Sequence, residues 1–175
     1  MKKLLALVLA LVMSLSLVTI SSADFKDADK IDYNEAVDVM NAVGVFIGDD
    51  NGNFNPKANL ERAQAAKIVA YLLLGNKTAE GLAGSGKFTD VAATNWAAGF
   101  IDYCAATGVV AGVGNGKFDP NGSLTTLQFA KMLLVALGYD AKIEGFTGND
   151  WSINVSAKAN QVGLLDGLDV GANAA

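Results

Sequence analysis

The chain has 175 residues, with 13 Lys and Arg against 18 Asp and Glu, one Cys and no His. Without histidine the commonest general base and metal ligand is missing, which removes the usual catalytic triads and zinc sites. An acidic chain without a basic cluster is also a poor partner for nucleic acid, because neutralising phosphates needs grouped Lys and Arg.

Met1-Lys2-Lys3 is a short basic segment, and Leu4 to Ile20 is an almost unbroken apolar run. Ser21-Ser22-Ala23 then supplies the small residues that a signal peptidase reads, so residues 1–23 are predicted to be a secretory signal cleaved after Ala23. The run is about one turn short of a comfortable membrane span of roughly 20 residues. No membrane association is expected once it is removed. No Cys follows it, so a lipidated N-terminus is not indicated. The lone Cys104 cannot form an internal disulfide. It follows Phe100 and Ile101 at helical spacing, the setting of a buried structural thiol.

Two long stretches of the chain repeat. Gly44, Phe54, Pro56, Leu60, Gln64 and Lys67 recur without a gap, 64 residues on, as Gly108, Phe118, Pro120, Leu124, Gln128 and Lys131. Both prolines of the chain fall at this one equivalent position. Each repeat opens alike, Phe25-Lys26-Asp27-Ala28 matching Phe88-Thr89-Asp90-Val91. A third opening appears near Asp150-Trp151, which matches Asn95-Trp96, and Gly163 then parallels Gly108. The organisation is therefore a signal (1–23), repeat one (24–87), repeat two (88–145) and a partial repeat three (146–175). Repeat units bury their faces against neighbours, and completion of the half unit by another chain is expected.

Within a unit the pattern reads helix, tight loop, helix. Asn34 to Val43 places Val37, Met40 and Val43 on one stripe. Gly44, Gly108 and Gly163 stand where a left-handed helix stop belongs. The Gly-x-Phe-x-Pro stretches are turn chemistry, with at most tiny strands around Phe54 and Phe118. Asn59 and Ser123 are the expected N-caps of apolar helices Leu60–Leu74 and Leu124–Leu137, which close at Gly75 and Gly138. Trp96 to Thr107 is the first helix of repeat two, with Ala97, Phe100, Ile101 and Cys104 on its buried stripe. The predicted fold class is mainly α.

The order Phe-x-Asp-Val, Trp-Ala, helix, Gly-Val-Val-x-Gly, Gly-x-Phe-x-Pro and Leu-x-Arg-Ala-Gln resembles the S-layer homology module. The resemblance runs from Phe25 to about Gly167. It implies a pseudo-threefold helical bundle with projecting loop-helix prongs. It also implies secretion to the bacterial cell wall or S-layer and non-covalent attachment to wall polysaccharide, commonly pyruvylated, through grooves between prongs.

Carried onto this chain, the resemblance implies a polysaccharide-binding set of Arg62, Asp27, Asp90, Trp96, Trp151, Gly48 and Gly112. A guanidinium fork pairs bidentately with a carboxylate such as a pyruvyl ketal. Asp27 and Asp90 could accept sugar hydroxyls or brace the opening turn. Trp96 and Trp151 could stack on a pyranose or wedge helices apart. Gly48 and Gly112 let backbone approach closely. For Arg62 the plain alternative is a solvated first-turn residue beside Glu61. The pattern departs from the family at Thr126, which stands in the place of Arg62, and at Asp32, which stands in the place of Trp96.

Other chemistries fit less well. Asp49, Asn51 and Asn53 have calcium-loop spacing, but Phe54 stands where Gly is needed and Leu60 where a bidentate Glu is needed. Gly112-x-Gly114-x-Gly116 follows no strand and carries no Walker lysine, so it reads as a tight turn. The acids are scattered with no pocket to set two carboxylates at a working distance. The expectation is a non-enzyme needing no metal or cofactor. Two functions stay open: polysaccharide anchoring, or a structural protein–protein assembly module that keeps the fold without the sugar sites. A third reading has an exoenzyme whose catalytic domain lies beyond Ala175.

Overall fold

The computed structural model describes residues 25–168, so the predicted signal and the last residues of the third unit lie outside the described residues. The described part is mainly α and contains no strand, only the isolated bridges Glu61–Ser123 and Gly114–Lys117. None of its helices is long and apolar enough to cross a membrane. Two compact units divide between Pro56 and Lys57.

The first unit holds a single 3-10 turn, Ala28–Lys30, and helix α1, Asn34–Ala42. Its core is Phe25, Ile31 and Val37, against which Phe46 and Phe54 pack. Phe54 stands 5.5 Å from the Phe25 ring and 5.4 Å from Phe46, in tilted aromatic geometry. The opening Phe and the Phe of the Phe-x-Pro motif are thus packing partners. That is why both recur in repeat two, where Phe88 and Phe118 lie 5.3 Å apart.

The second unit contains α2 (Arg62–Leu74), α3 (Asn76–Ala79), α4 (Ala98–Ala106), α5 (Thr126–Ala136) and α6 (Trp151–Gln161). Helix α2 packs against α4 and α5, and α5 packs against α6. The buried face of α2 is Ala63, Ala65, Ala66, Val69, Ala70 and Tyr71. Small side chains let α4 come close enough for the Cys104 thiol to donate to the Ala66 carbonyl at 3.4 Å. Burial pushes that thiol up to about 12, so it stays protonated and inert in the core. Around α5 and α6 a second core gathers Leu127, Ala130, Leu134, Phe146, Val155 and Ala159.

The N-caps of α2 and α5 lie two residues later than the expected Asn59 and Ser123. Glu61 and Thr125 are the N-caps, each in a capping box with the Gln three residues on. The Gln64 side chain accepts from the Glu61 amide at 3.0 Å, and Gln128 from Thr125 at 2.9 Å. Asn59 and Ser123 do not cap the helices, because the two helix starts pair with each other through the Glu61–Ser123 bridge. The Leu124 amide donates to the Leu60 carbonyl, and the amides of Arg62 and Ala63 donate to Gly122 and Pro120, all at 2.9 Å. Orphan donors of the α2 N-terminus are thereby satisfied by the loop of the next repeat. Helix α4 starts at Ala98 rather than Trp96, because the Asn95 side chain accepts the Ala97 amide at 2.9 Å and holds a turn there. Gly44, Gly108 and Gly163 each take a left-handed φ, of 75°, 77° and 73°, directly after their helices.

The cap assignment is checked by Thr125→Ala, which removes the side-chain acceptor for Gln128 N–H. Chemical denaturation should show a loss of about 1 kcal/mol, whereas Ser123→Ala should leave stability unchanged.

Candidate functional site

The sequence places Asn55 before Pro56 and Asp119 before Pro120, and both adopt φ of 60°. Asn and Asp tolerate this left-handed region better than other side-chain-bearing residues. The conformation turns two successive amides to one side, and a carboxylate receives both. Asp27 accepts from Phe54 at 2.7 Å and Asn55 at 2.8 Å. Asp90 accepts from Phe118 and Asp119, both at 2.8 Å. At Asp27 desolvation raises the pKa, but the Phe54 and Asn55 amides outweigh it and hold the carboxyl below its ordinary value. At Asp90 the Phe118 amide is the leading cause, and the net shift is again downward. Both acids therefore brace the Phe-x-Pro loops, with their oxygens occupied by backbone.

On the loop braced by Asp90 sits Arg62, the single arginine of the chain. It projects from the first turn of α2 into repeat two. Its Nε donates to the Phe118 carbonyl at 2.8 Å and its Nη2 to the Ala111 carbonyl at 2.7 Å. The guanidinium carbon lies 4.4 Å from the centre of the Phe118 ring, which is itself fully buried. Desolvation lowers the Arg62 pKa, opposed by the negative charge of Asp119 and Asp90, and an arginine so placed remains charged. Two of the five N–H donors of a guanidinium are used in these loop contacts.

Arg62 forms one side of an open groove of about 400 Å³. Its floor and walls are the Val109–Gly112 loop, Gln128, Lys131 and Met132 of α5, the Phe146–Gly148 segment, and Trp151 at the start of α6. Lys131 Nζ stands 5.7 Å from the centre of the Trp151 ring, and partial desolvation lowers its pKa. Two cations and one indole thus face a common space whose lining contains no Asp or Glu. In a chain with net charge −5 the groove lining carries only positive side-chain charge, with Asp119 and Asp90 acting on Arg62 from outside that lining.

The remaining expected residues take varied positions. Gly112 lines the groove, and a side chain there would meet the Lys117 carbonyl at 2.6 Å and the Phe88 ring at 2.9 Å. Gly48 occupies the equivalent packing position in the first unit, where a Cβ would strike the Phe25 ring at 2.6 Å. Trp96 is 57% exposed and does not line the groove, whereas its counterpart Trp151 does. Asp49, the head of the calcium-like spacing, instead accepts from the Asn51 and Asn53 amides and the Asn55 side chain. The Asn53 amide leads in holding its carboxyl at about 2. Among the described residues no cluster of three His, Cys, Asp or Glu is placed to hold a metal.

The S-layer homology domain model matches residues 24–66 and 87–130, two segments that start at the Phe-x-Asp openings and run into α2 and α5. The chain belongs to the S-layer homology domain family. A cell surface protein of Thermoanaerobacter kivui is 34% identical over 99% of this chain and 22% of its own length. The surface-layer 125 kDa protein of Lysinibacillus sphaericus is 39% identical over 73% of this chain and 10% of its own. A cellulosome-anchoring protein of Acetivibrio thermocellus is 35% identical over 55% of this chain and 22% of its own. The chain thus spans about a fifth or less of the curated relatives it matches. S-layer homology membership carries a bacterial cell-surface location.

Lys131 is the groove residue that sequence reasoning did not single out. Its signal was present, since Lys67 and Lys131 close the repeated Gln-x-x-Lys pattern, and i, i+3 spacing puts Gln128 and Lys131 on one helix face. Thr126 therefore does not leave this groove without a cation: one comes from each repeat.

Because the folded pKa of Asp90 lies below the ordinary 3.8, its contribution to stability is complete above that value and is lost as pH falls through the folded one. Asp90→Asn can still accept one amide but turns an NH2 toward the other. The variant should melt lower at pH 7, and the difference from wild type should shrink below about pH 4 in thermal melts. A constant difference down to pH 2 would contradict the clamp.

Proposed function

We propose that this chain anchors non-covalently to an anionic secondary polysaccharide of the bacterial wall, with pyruvylated sugars as the fitting decoration, and that it does so without catalysis. The single observation that carries this reading is the acid-free groove in which Arg62, Lys131 and Trp151 converge. A ketal carboxylate would pair with Lys131 Nζ and the remaining guanidinium donors of Arg62, charge-assisted contacts stronger than neutral ones. The apolar face of a pyranose would lie on the Trp151 indole. The Val110–Gly112 backbone, held in place by Arg62, would offer polar groups to the sugar hydroxyls. Secretion ahead of anchoring fits the basic-apolar-small pattern of residues 1–23.

A second reading, an assembly module that keeps the fold without sugar binding, is favoured by one observation. Arg62 already spends its Nε and one Nη donor on the protein itself.

The two readings separate in co-sedimentation of the secreted protein with purified wall sacculi, before and after acid removal of secondary polymers. Anchoring predicts binding that disappears with the polymer, weakens with salt, and falls at least tenfold in Lys131→Gln with the fold intact. Binding that survives polymer removal, or that ignores Lys131, supports the assembly reading.

A further inference from the structure

The two repeats differ in what surrounds their equivalent lysines. Lys131 faces the groove, whose lining has no acid. Lys67, at the same position of repeat one, forms an ion pair with Glu80 at 3.3 Å. Its ammonium also lies 5.0 Å from the Tyr71 ring centre and 5.6 Å from that of Phe100. The Tyr71 hydroxyl donates to the same Glu80 oxygen. Tyr71 is buried and stacks edge-on with Phe100 at 5.8 Å, so the phenol that holds Glu80 is itself fixed. Glu80 is delivered by the turn that closes α3, where its amide donates to the Asn76 carbonyl at 2.9 Å.

A carboxylate thus rests on a lysine beside two buried aromatic rings at the repeat-one position, whereas the equivalent Lys131 stands beside Trp151 in the open groove. We propose that Glu80 is a built-in occupant of a second, latent carboxylate site at Lys67, and that it closes this site to an external carboxylated sugar while the groove stays open to one. The inference deepens the anchoring reading and rests on it for the ligand class. The intramolecular carboxylate needs only local ordering to reach Lys67, whereas an external one must be captured from solution, so effective concentration favours Glu80. Neutralising Glu80 removes the competitor. Glu80→Gln keeps an oxygen to accept the Tyr71 hydroxyl and leaves the Lys67 ammonium without its counter-charge. The unmasked site binds more weakly than the groove, because the sole arginine of the chain is committed to the loop of repeat two.

The test titrates the secreted protein by calorimetry with a methyl hexopyranoside carrying a 4,6-pyruvyl ketal, and with the matching uncharged ketal ester. Wild type should bind one equivalent of the acid, lost in Lys131→Gln. Glu80→Gln should bind two, the second weaker and removed by adding Lys67→Gln, with no second site for the ester. A single equivalent in Glu80→Gln, with the Lys131 site intact, overturns the inference. If wild type binds nothing, the anchoring reading of the groove fails, and Glu80→Gln alone then decides. Binding gained through Lys67 upholds a masked site, and none overturns it.

Discussion

The contact on which the groove depends is the reach of Arg62 out of one repeat into the loop of the next. Its guanidinium lies on the Phe118 ring and donates to the carbonyls of Phe118 and Ala111. Those two carbonyls bracket the loop that carries Gly112, and the backbone of the same loop is clamped from the other side by Asp90. Without both, a segment holding a left-handed Asp119 and several glycines would have little to fix it. The bonds between the starts of α2 and α5 add a third restraint at the same seam. A lysine at position 62 would keep the charge but could not span two carbonyls and cover a ring at once.

This arrangement explains how two similar repeats come to differ in the charges they present. The clamp is duplicated, Asp27 serving Phe54 and Asn55 as Asp90 serves Phe118 and Asp119. The cation pattern is not. Repeat one supplies the arginine and repeat two supplies the groove lysine, while the lysine of repeat one is paired with Glu80. A groove assembled from unlike contributions needs only one copy of each, so Thr126 in the arginine position costs this groove nothing. Trp151 lies beyond both matched repeats, so the groove also draws on the segment that follows them.

Much of the fold was legible because the repeat aligns its own punctuation. Helix stops at Gly44, Gly108 and Gly163, the buried thiol of Cys104 and the mainly α class all follow from spacing and residue type. The helix starts were misplaced by two residues because Asn59 and Ser123 are good caps in isolation. Glu61 with Gln64, and Thr125 with Gln128, spell capping boxes, and pairing between the two starts keeps Asn59 and Ser123 from capping. The site was less legible. Sequence pattern marks Asp27 and Asp90 as important without telling sugar contact from loop bracing, since that depends on where the amides of Phe54 and Phe118 point. Nor could it tell Trp96 from Trp151, whose difference is that Trp151 lines the groove and Trp96 does not. Lys131 and Lys67 look alike in one dimension, and only Glu80 separates them.

Arg62 is a structural staple before it is a ligand contact in the proposed anchoring, and its single occurrence allows a direct test. In a 15N-resolved NMR titration with a pyruvyl-ketal hexopyranoside, its Nε–H signal is unique. The account predicts that this proton, bonded to the Phe118 carbonyl, exchanges slowly before and throughout the titration. The Trp151 indole N–H should shift on ligand addition and the Trp96 indole should not. Fast exchange of the Arg62 Nε–H in the free protein, with slow exchange appearing only on ligand addition, would contradict it.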